Sequence, residues 1–137
     1  MPRILSIDYG TKRVGLAVTD PLQIIANTLT TVRAHEAIQY LKTYLEKEAV
    51  ECFVVGKPLK MDGTDSESAQ YVEKFISLLT KNFPAVPVKR VDERFTSRIA
   101  QRALLEMGLK KKDRQKKENV DQVSAVLILQ TYMENKF

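Results

Sequence analysis

At 137 residues the chain has the length of one domain, residues 1–137, with no room for a second fold of ordinary size. Its 44% hydrophobic and 28% charged residues exclude a disordered or collagen-like chain, and its formal net charge of +5 favours anionic partners. The longest nearly apolar run, residues 123–129, falls far short of the roughly 20 residues of a membrane span, and a lone cysteine, Cys52, excludes an internal disulfide or a cysteine-built zinc cage.

Ile4, Leu5 and Ile7 form a short apolar run that ends at Asp8-Tyr9-Gly10. Val14, Leu16 and Val18 then alternate with Gly15, Ala17 and Thr19, so the segment reads as two antiparallel strands joined by a turn at residues 9–13. A third strand, rich in isoleucine and threonine, is expected over residues 24–32. Ala37, Ile38, Leu41, Tyr44 and Leu45 recur at helical spacing and predict an amphipathic helix. The continuous apolar run at residues 52–55 predicts a strand buried on both faces, stopping at Gly56-Lys57-Pro58. Thr64, three residues before Glu67, has the spacing of a capping box for a second helix, with Ala69, Val72, Phe75, Ile76 and Leu79 as its buried stripe. Val86, Val88 and Val91 predict a fifth strand ending at Asp92-Glu93. A further helix carries Phe95, Ile99, Ala103 and Met107 and stops at Gly108, and a last helix runs from near Asn119 to about Met133.

The order βββαβαβαα predicts an α/β fold with a mixed five-stranded sheet and helices on both faces. Strands one, four and five are expected to be mutually parallel, with their carboxyl ends at one edge, where open α/β sheets carry their sites. No charged leader or cleavage pattern precedes Ile4, so the expected compartment is the cytoplasm, with no membrane partner.

Three acids fall where this layout gathers them: Asp8 closing strand one, Glu93 just past strand five, and Asp121 in the first turn of the last helix. Singly each has an ordinary explanation, respectively turn chemistry, a surface ion pair with Arg94, and a favourable meeting with the helix dipole. Gathered at ~4 Å they would repel by about 4 kcal/mol per pair at an effective dielectric near 20, unless a cation or protons compensate. An all-oxygen set, with no cysteine near and one distant histidine, suits Mg²⁺ or Mn²⁺. Such ions drive phosphodiester hydrolysis by activating water and steadying the leaving oxygen.

The positive charge is concentrated beside those acids. Residues 89–117 hold eleven Lys/Arg against four Asp/Glu, whereas the remainder of the chain carries a net −2. Such a concentration attracts phosphate backbones, the alternative being a solvated face that serves solubility. Arg94, Arg98 and Arg102 lie four apart, one stripe with about 6 Å between successive positions on a helix. Lys110, Lys111 and Lys112, followed by Arg114, Lys116 and Lys117, lead directly to Asp121. Lys12 and Arg13 follow Asp8, and Lys57 stands at the same sheet edge, so all three are candidates for substrate contact. His35 is expected at the surface, Cys52 as a small buried hydrophobe, and Tyr9 either against a base or in packing.

The runs Ile7-Asp8-Tyr9-Gly10-Thr11-Lys12-Arg13-Val14-Gly15-Leu16-Ala17-Val18-Thr19-Asp20, Val54-Val55-Gly56-Lys57-Pro58-Leu59, Asp92-Glu93-Arg94-Phe95-Thr96-Ser97, and Asp121 before Ser124-Ala125 resemble the YqgF (RuvX) family. The resemblance spans nearly the whole chain. It implies a ribonuclease H-like fold related to Holliday-junction resolvases, with Asp8, Glu93 and Asp121 as the catalytic, metal-binding acids. The role it implies is 5′-end maturation of precursor 16S ribosomal RNA, in ribosome biogenesis. Related resolvases often have a further acid one helical turn after the last Asp; here that position is Ser124, which leaves Asp92 as a candidate fourth ligand.

The leading expectation is therefore a Mg²⁺- or Mn²⁺-dependent nuclease acting on structured RNA, with pre-ribosomal particles as partners. Asp8 and Asp121 would hold the metal, and Glu93 would either ligate it or orient the attacking water. One alternative is a Holliday junction resolvase acting on branched DNA; another is a non-catalytic RNA-binding, ribosome-associated module. The Ile7–Thr11 hairpin also resembles the phosphate-binding hairpin of the actin and Hsp70 superfamily, but those proteins need two such domains.

Overall fold

The computed structural model describes residues 2–58, 68–92 and 117–136, with side chains in the last segment described for residues 123–134. The predicted capping box at Thr64 and Glu67 and the helix predicted between Phe95 and Gly108 lie outside the described residues, as do Glu93, Arg94, Arg98, Arg102, Lys110, Lys111 and Lys112.

The described residues form five strands: β1 (Arg3–Tyr9), β2 (Arg13–Thr19), β3 (Ala26–Arg33), β4 (Val50–Lys57) and β5 (Val88–Asp92). A 3-10 turn at Ala34–Glu36 leads into helix α1 (Ala37–Lys47); α2 (Ala69–Asn82) and α3 (Lys117–Lys136) complete the set. The sheet order is β3-β2-β1-β4-β5. β1 pairs antiparallel with β2 and parallel with β4, and β4 pairs parallel with β5, so the expected parallel set is present.

Alternation along the strands sends side chains to two separate cores. Leu5, Ile7, Val14, Leu16, Phe53 and Val55 pack under α1 and α2, against Leu41, Val72, Phe75 and Leu79. Ile4, Ala17, Cys52, Val54 and Val91 pack on the other face against Ala125, Ile128 and Leu129 of α3. Each fully buried Leu, Ile or Phe contributes about 1.5–3 kcal/mol relative to exposure, an upper estimate when summed over a chain. Helices thus cover both faces, as the apolar run of β4 requires: Cys52, Phe53, Val54, Val55 and Gly56 are all buried. Cys52 is the small hydrophobe expected, its Sγ 3.9 Å from the Tyr132 hydroxyl. Among the described residues no helix is long and apolar enough to cross a membrane.

β3 starts at Ala26, two residues later than expected. The Asp20 carboxylate accepts the backbone N–H groups of Ile24 (2.7 Å) and Ile25 (2.8 Å), which removes both donors from strand pairing. Gln23, at φ 58°, completes this tight loop, and Leu22, Ile24 and Ile25 are left exposed.

Candidate functional site

Asp8 is the penultimate residue of β1 and is half-buried. Strand alternation puts it on the α3 face, in line with Ile4 and Ser6. Its partner across the β1–β2 pair is Gly15, so no side chain stands opposite the carboxylate on that strand.

The alignment of α3 against β1 is fixed by two contacts at different levels. At the start of β1, Ile4 is level with Cys52 of β4, whose thiol reaches Tyr132. Two residues on, the Ser6 hydroxyl donates to the Ala125 carbonyl at 2.6 Å. The helix therefore runs opposite to β1. Asp8 lies about 6.6 Å beyond Ser6 along the strand. Position 121 lies one turn, about 6 Å, before Ala125 along the helix. Going from Ser6 to Asp8 along β1 and from Ala125 back to position 121 along α3 therefore leads in the same direction, toward the carboxyl end of β1. Ser124 is buried.

Asp92, weighed as a fourth ligand, sits elsewhere. Val91 belongs to the α3-side core, so the next residue, Asp92, falls on the α1/α2 face, in register with Lys57. Lys57 is thus at the same end of the sheet as Asp8 but on its opposite face. Strand alternation thus sets the backbone positions of Asp92 and Asp8 toward opposite faces of the sheet. Among the described residues no three His, Cys, Asp or Glu side chains form a cluster able to hold a metal. Two of the three predicted acids lie outside that search, Glu93 wholly and Asp121 in its side chain.

The β1–β2 turn carries the basic residues next to Asp8. Gly10 N–H donates to the Arg13 carbonyl at 2.9 Å, and a Cβ on Gly10 would meet that oxygen at 2.7 Å, so the tight turn needs glycine. Lys12 is exposed at its tip, and its carbonyl accepts the Ala34 N–H at 3.0 Å, tying the turn to the end of β3. Arg13 opens β2 on the α3 face, a diagonal neighbour of Asp8 across the sheet, about 7–8 Å away.

Sequence reasoning missed Arg33. It pairs in register with Arg13, and the two arginines line a small cavity of about 150 Å³ with Thr31 and Val32. Like charges opposite one another across a sheet are unfavourable, and an anion between them relieves the repulsion. Two forked guanidiniums suit a phosphate. The pairing depends on a bulge between Leu16 and Ala17. Extending the register of Thr19↔Ala26 without it would bring Val32, not Arg33, opposite Arg13, so no local signal in the sequence pairs the two.

Tyr9 points to the face opposite Asp8 and stacks on Phe75 of α2, with ring centroids 4.5 Å apart. Its role in packing is therefore established. His35 is exposed, 3.6 Å from Glu36, as expected of a surface residue. Asp20 lies at the far end of β2; the N–H of Ile25, and then that of Ile24, holds its carboxyl below the usual range, against an opposing effect of desolvation.

The chain matches the model of the RuvX family, described as Holliday junction resolvase, over residues 2–135. A protein of Bacteroides thetaiotaomicron named "Putative pre-16S rRNA nuclease" is 54% identical over 136 residues, covering 99% of each chain. A protein of the same name from Porphyromonas gingivalis is 53% identical over 135 residues, covering 98% of each. In fold, the chain is similar to RuvC of T. thermophilus in complex with a Holliday junction substrate, at 16% identity, 98% and 97% coverage and a TM-score of 0.59. That likeness extends the α/β description to the ribonuclease H-like fold of RuvC. With the family model spanning nearly every residue and relatives above half identity, the chain belongs to RuvX, a family of nucleases.

Proposed function

We propose that this protein is a divalent-metal-dependent nuclease that hydrolyses phosphodiester bonds in the 5′-end maturation of precursor 16S rRNA. The observation that carries the reading is the Ser6–Ala125 hydrogen bond, which packs α3, the helix that carries Asp121, against the face of β1 on which Asp8 falls. The name shared by relatives at 54% and 53% identity supports the RNA substrate.

The residues present fit a hard cation. Asp8 is a half-buried carboxylate facing a bare glycine, and the candidate set of Asp8, Glu93 and Asp121 is made of oxygens only, as Mg²⁺ or Mn²⁺ prefers. Asp8 and Asp121 would hold the ion, and Glu93 would ligate it or orient the attacking water. When bound, such an ion supplies a more acidic water and charge stabilisation for the leaving oxygen. The chain's own part is positioning. Arg13 and Arg33 hold a phosphate next to Asp8, Gly15 keeps the approach open, and Lys12 extends the positive surface around the turn. Lys57, Arg94, Arg98, Arg102, Lys110, Lys111 and Lys112 would neutralise further phosphates of a long substrate in the cytoplasm. Pre-ribosomal particles are the natural presentation of that RNA.

The family description, Holliday junction resolvase, favours a second substrate, branched DNA. Cleavage of 5′-labelled precursor 16S leader RNA and of a four-way DNA junction, each with Mg²⁺ or Mn²⁺, separates the two. The expected result is RNA cleavage that Asp8→Asn and Glu93→Gln abolish. Cutting of the junction alone would move the protein to DNA recombination. Binding of RNA or pre-ribosomal particles without cleavage under either metal would make it a non-catalytic module.

A further inference from the structure

On the face opposite Asp8, at the same end of the sheet, a cavity of about 550 Å³ opens between the β1–β2 turn, the end of β3, α1 and α2. Its volume is in the range of sites that take a small organic ligand, ~300–1,000 Å³. One wall is apolar: Tyr9, Ile38, Phe75 and Leu78. Phe75 is buried, but Leu78 is 48% exposed, so the wall ends in an uncovered aliphatic side chain at the mouth. The rim is basic, with Lys12, Arg33 and His35. Among the described residues an acid next to this rim is Glu36, whose carboxylate lies 3.6 Å from His35 in a pair exposed on both sides and worth little in water.

An apolar wall beneath a cationic rim is the chemistry of a nucleotide: a base against the wall, its phosphate at the rim. The position of the cavity supports the same occupant. Asp8 and Tyr9 are consecutive, so the end of β1 presents the candidate catalytic acid to one face and a wall of this cavity to the other. Arg33 lines both this cavity and the smaller one it shares with Arg13 on the Asp8 side, so positive charge continues around the edge.

We propose that this cavity binds an unpaired nucleotide of the substrate strand, carried around the β1–β2 turn from the phosphate held beside Asp8. The inference rests on the nucleic-acid reading above and adds to it a preference for a single-stranded segment next to the reacting phosphate. It needs no metal and no turnover.

The test is therefore equilibrium binding without divalent metal, using fluorescein-labelled RNA duplexes that are blunt or carry a four-nucleotide overhang. Wild-type protein and Asp8→Asn should both bind the overhang about tenfold more tightly than the blunt duplex, in keeping with the worth of one base contact. Leu78→Glu and His35→Glu alter exposed positions and should erase that preference while leaving blunt-duplex binding in place. With 4-thiouridine in the overhang, the wild-type crosslink should map to peptides containing Tyr9, Ile38 or Leu78. Equal affinity of wild-type protein for the two RNAs, or a preference undiminished in both variants, overturns the proposal. A preference that responds to both variants in a protein that cleaves nothing upholds the cavity and sinks the nuclease reading alone.

Discussion

The Ser6 hydroxyl donates a 2.6 Å hydrogen bond to the carbonyl of Ala125, 119 residues away in sequence, with both residues fully buried. It pins α3 to β1 beside the core in which Ile4 packs with Ile128 and Leu129. Removing the hydroxyl leaves a buried gap and a less well-satisfied carbonyl, at a cost of about 1–3 kcal/mol. Ser6→Ala should lower the urea midpoint accordingly. It should also reduce kcat more than substrate affinity, because the register of Asp121 against Asp8 loosens while the basic surface is untouched. A variant with wild-type kcat would separate α3 anchoring from catalysis.

Arg33 stands at the end of β3, exposed, opposite Arg13. Arg33→Ala should leave stability unchanged or slightly raised, since it removes a like-charge pair across the sheet. RNA affinity should fall, and the slope of log affinity against log salt should become shallower by about one, the signature of a lost phosphate contact. An unchanged slope would take Arg33 out of the RNA path.

Asp20 makes the stability of the β2–β3 loop depend on acid. Its carboxyl is held below its ordinary value, first by the N–H of Ile25, so the folded state favours the charged form. A depressed folded-state pKa contributes stability above the unfolded pKa and loses it as pH falls through the folded value. Urea midpoints measured from pH 6 down to pH 2 should therefore decline in this window, less steeply in Asp20→Asn. Parallel profiles for the two proteins would show that the loop bonds carry no pH-linked stability.

Much of the architecture is written in local pattern. The alternation of Val14, Leu16 and Val18 with Gly15, Ala17 and Thr19 marks β2, and the unbroken run Cys52-Phe53-Val54-Val55 marks a strand covered on both faces. The spacing of Val72, Phe75 and Leu79 marks the buried side of α2. Propensity misleads at Ile24 and Ile25, where two β-branched residues look like strand and the Asp20 side chain takes their donors instead.

The site was legible in residue type more than in geometry. Asp8 can be read as the end of β1, but its face is fixed only by knowing which side α3 covers, and that knowledge also separates Asp92 from it. Arg33 and Ser6 were invisible for related reasons. One depends on a register shift at a bulge, the other on a contact between opposite ends of the chain.

The central claim is that Asp8 and Asp121 hold one divalent ion on the α3 face, with Asp92 outside the site. Manganese binding by electron paramagnetic resonance, on the wild-type chain and the Asp8→Asn, Asp121→Asn and Asp92→Asn variants, tests it most directly. The account predicts a Kd raised by more than about a hundredfold in the first two, beyond the roughly 10–100-fold that loss of an outer partner typically costs. It predicts wild-type affinity in Asp92→Asn. Manganese affinity unchanged in Asp8→Asn, or lost in Asp92→Asn, would contradict it.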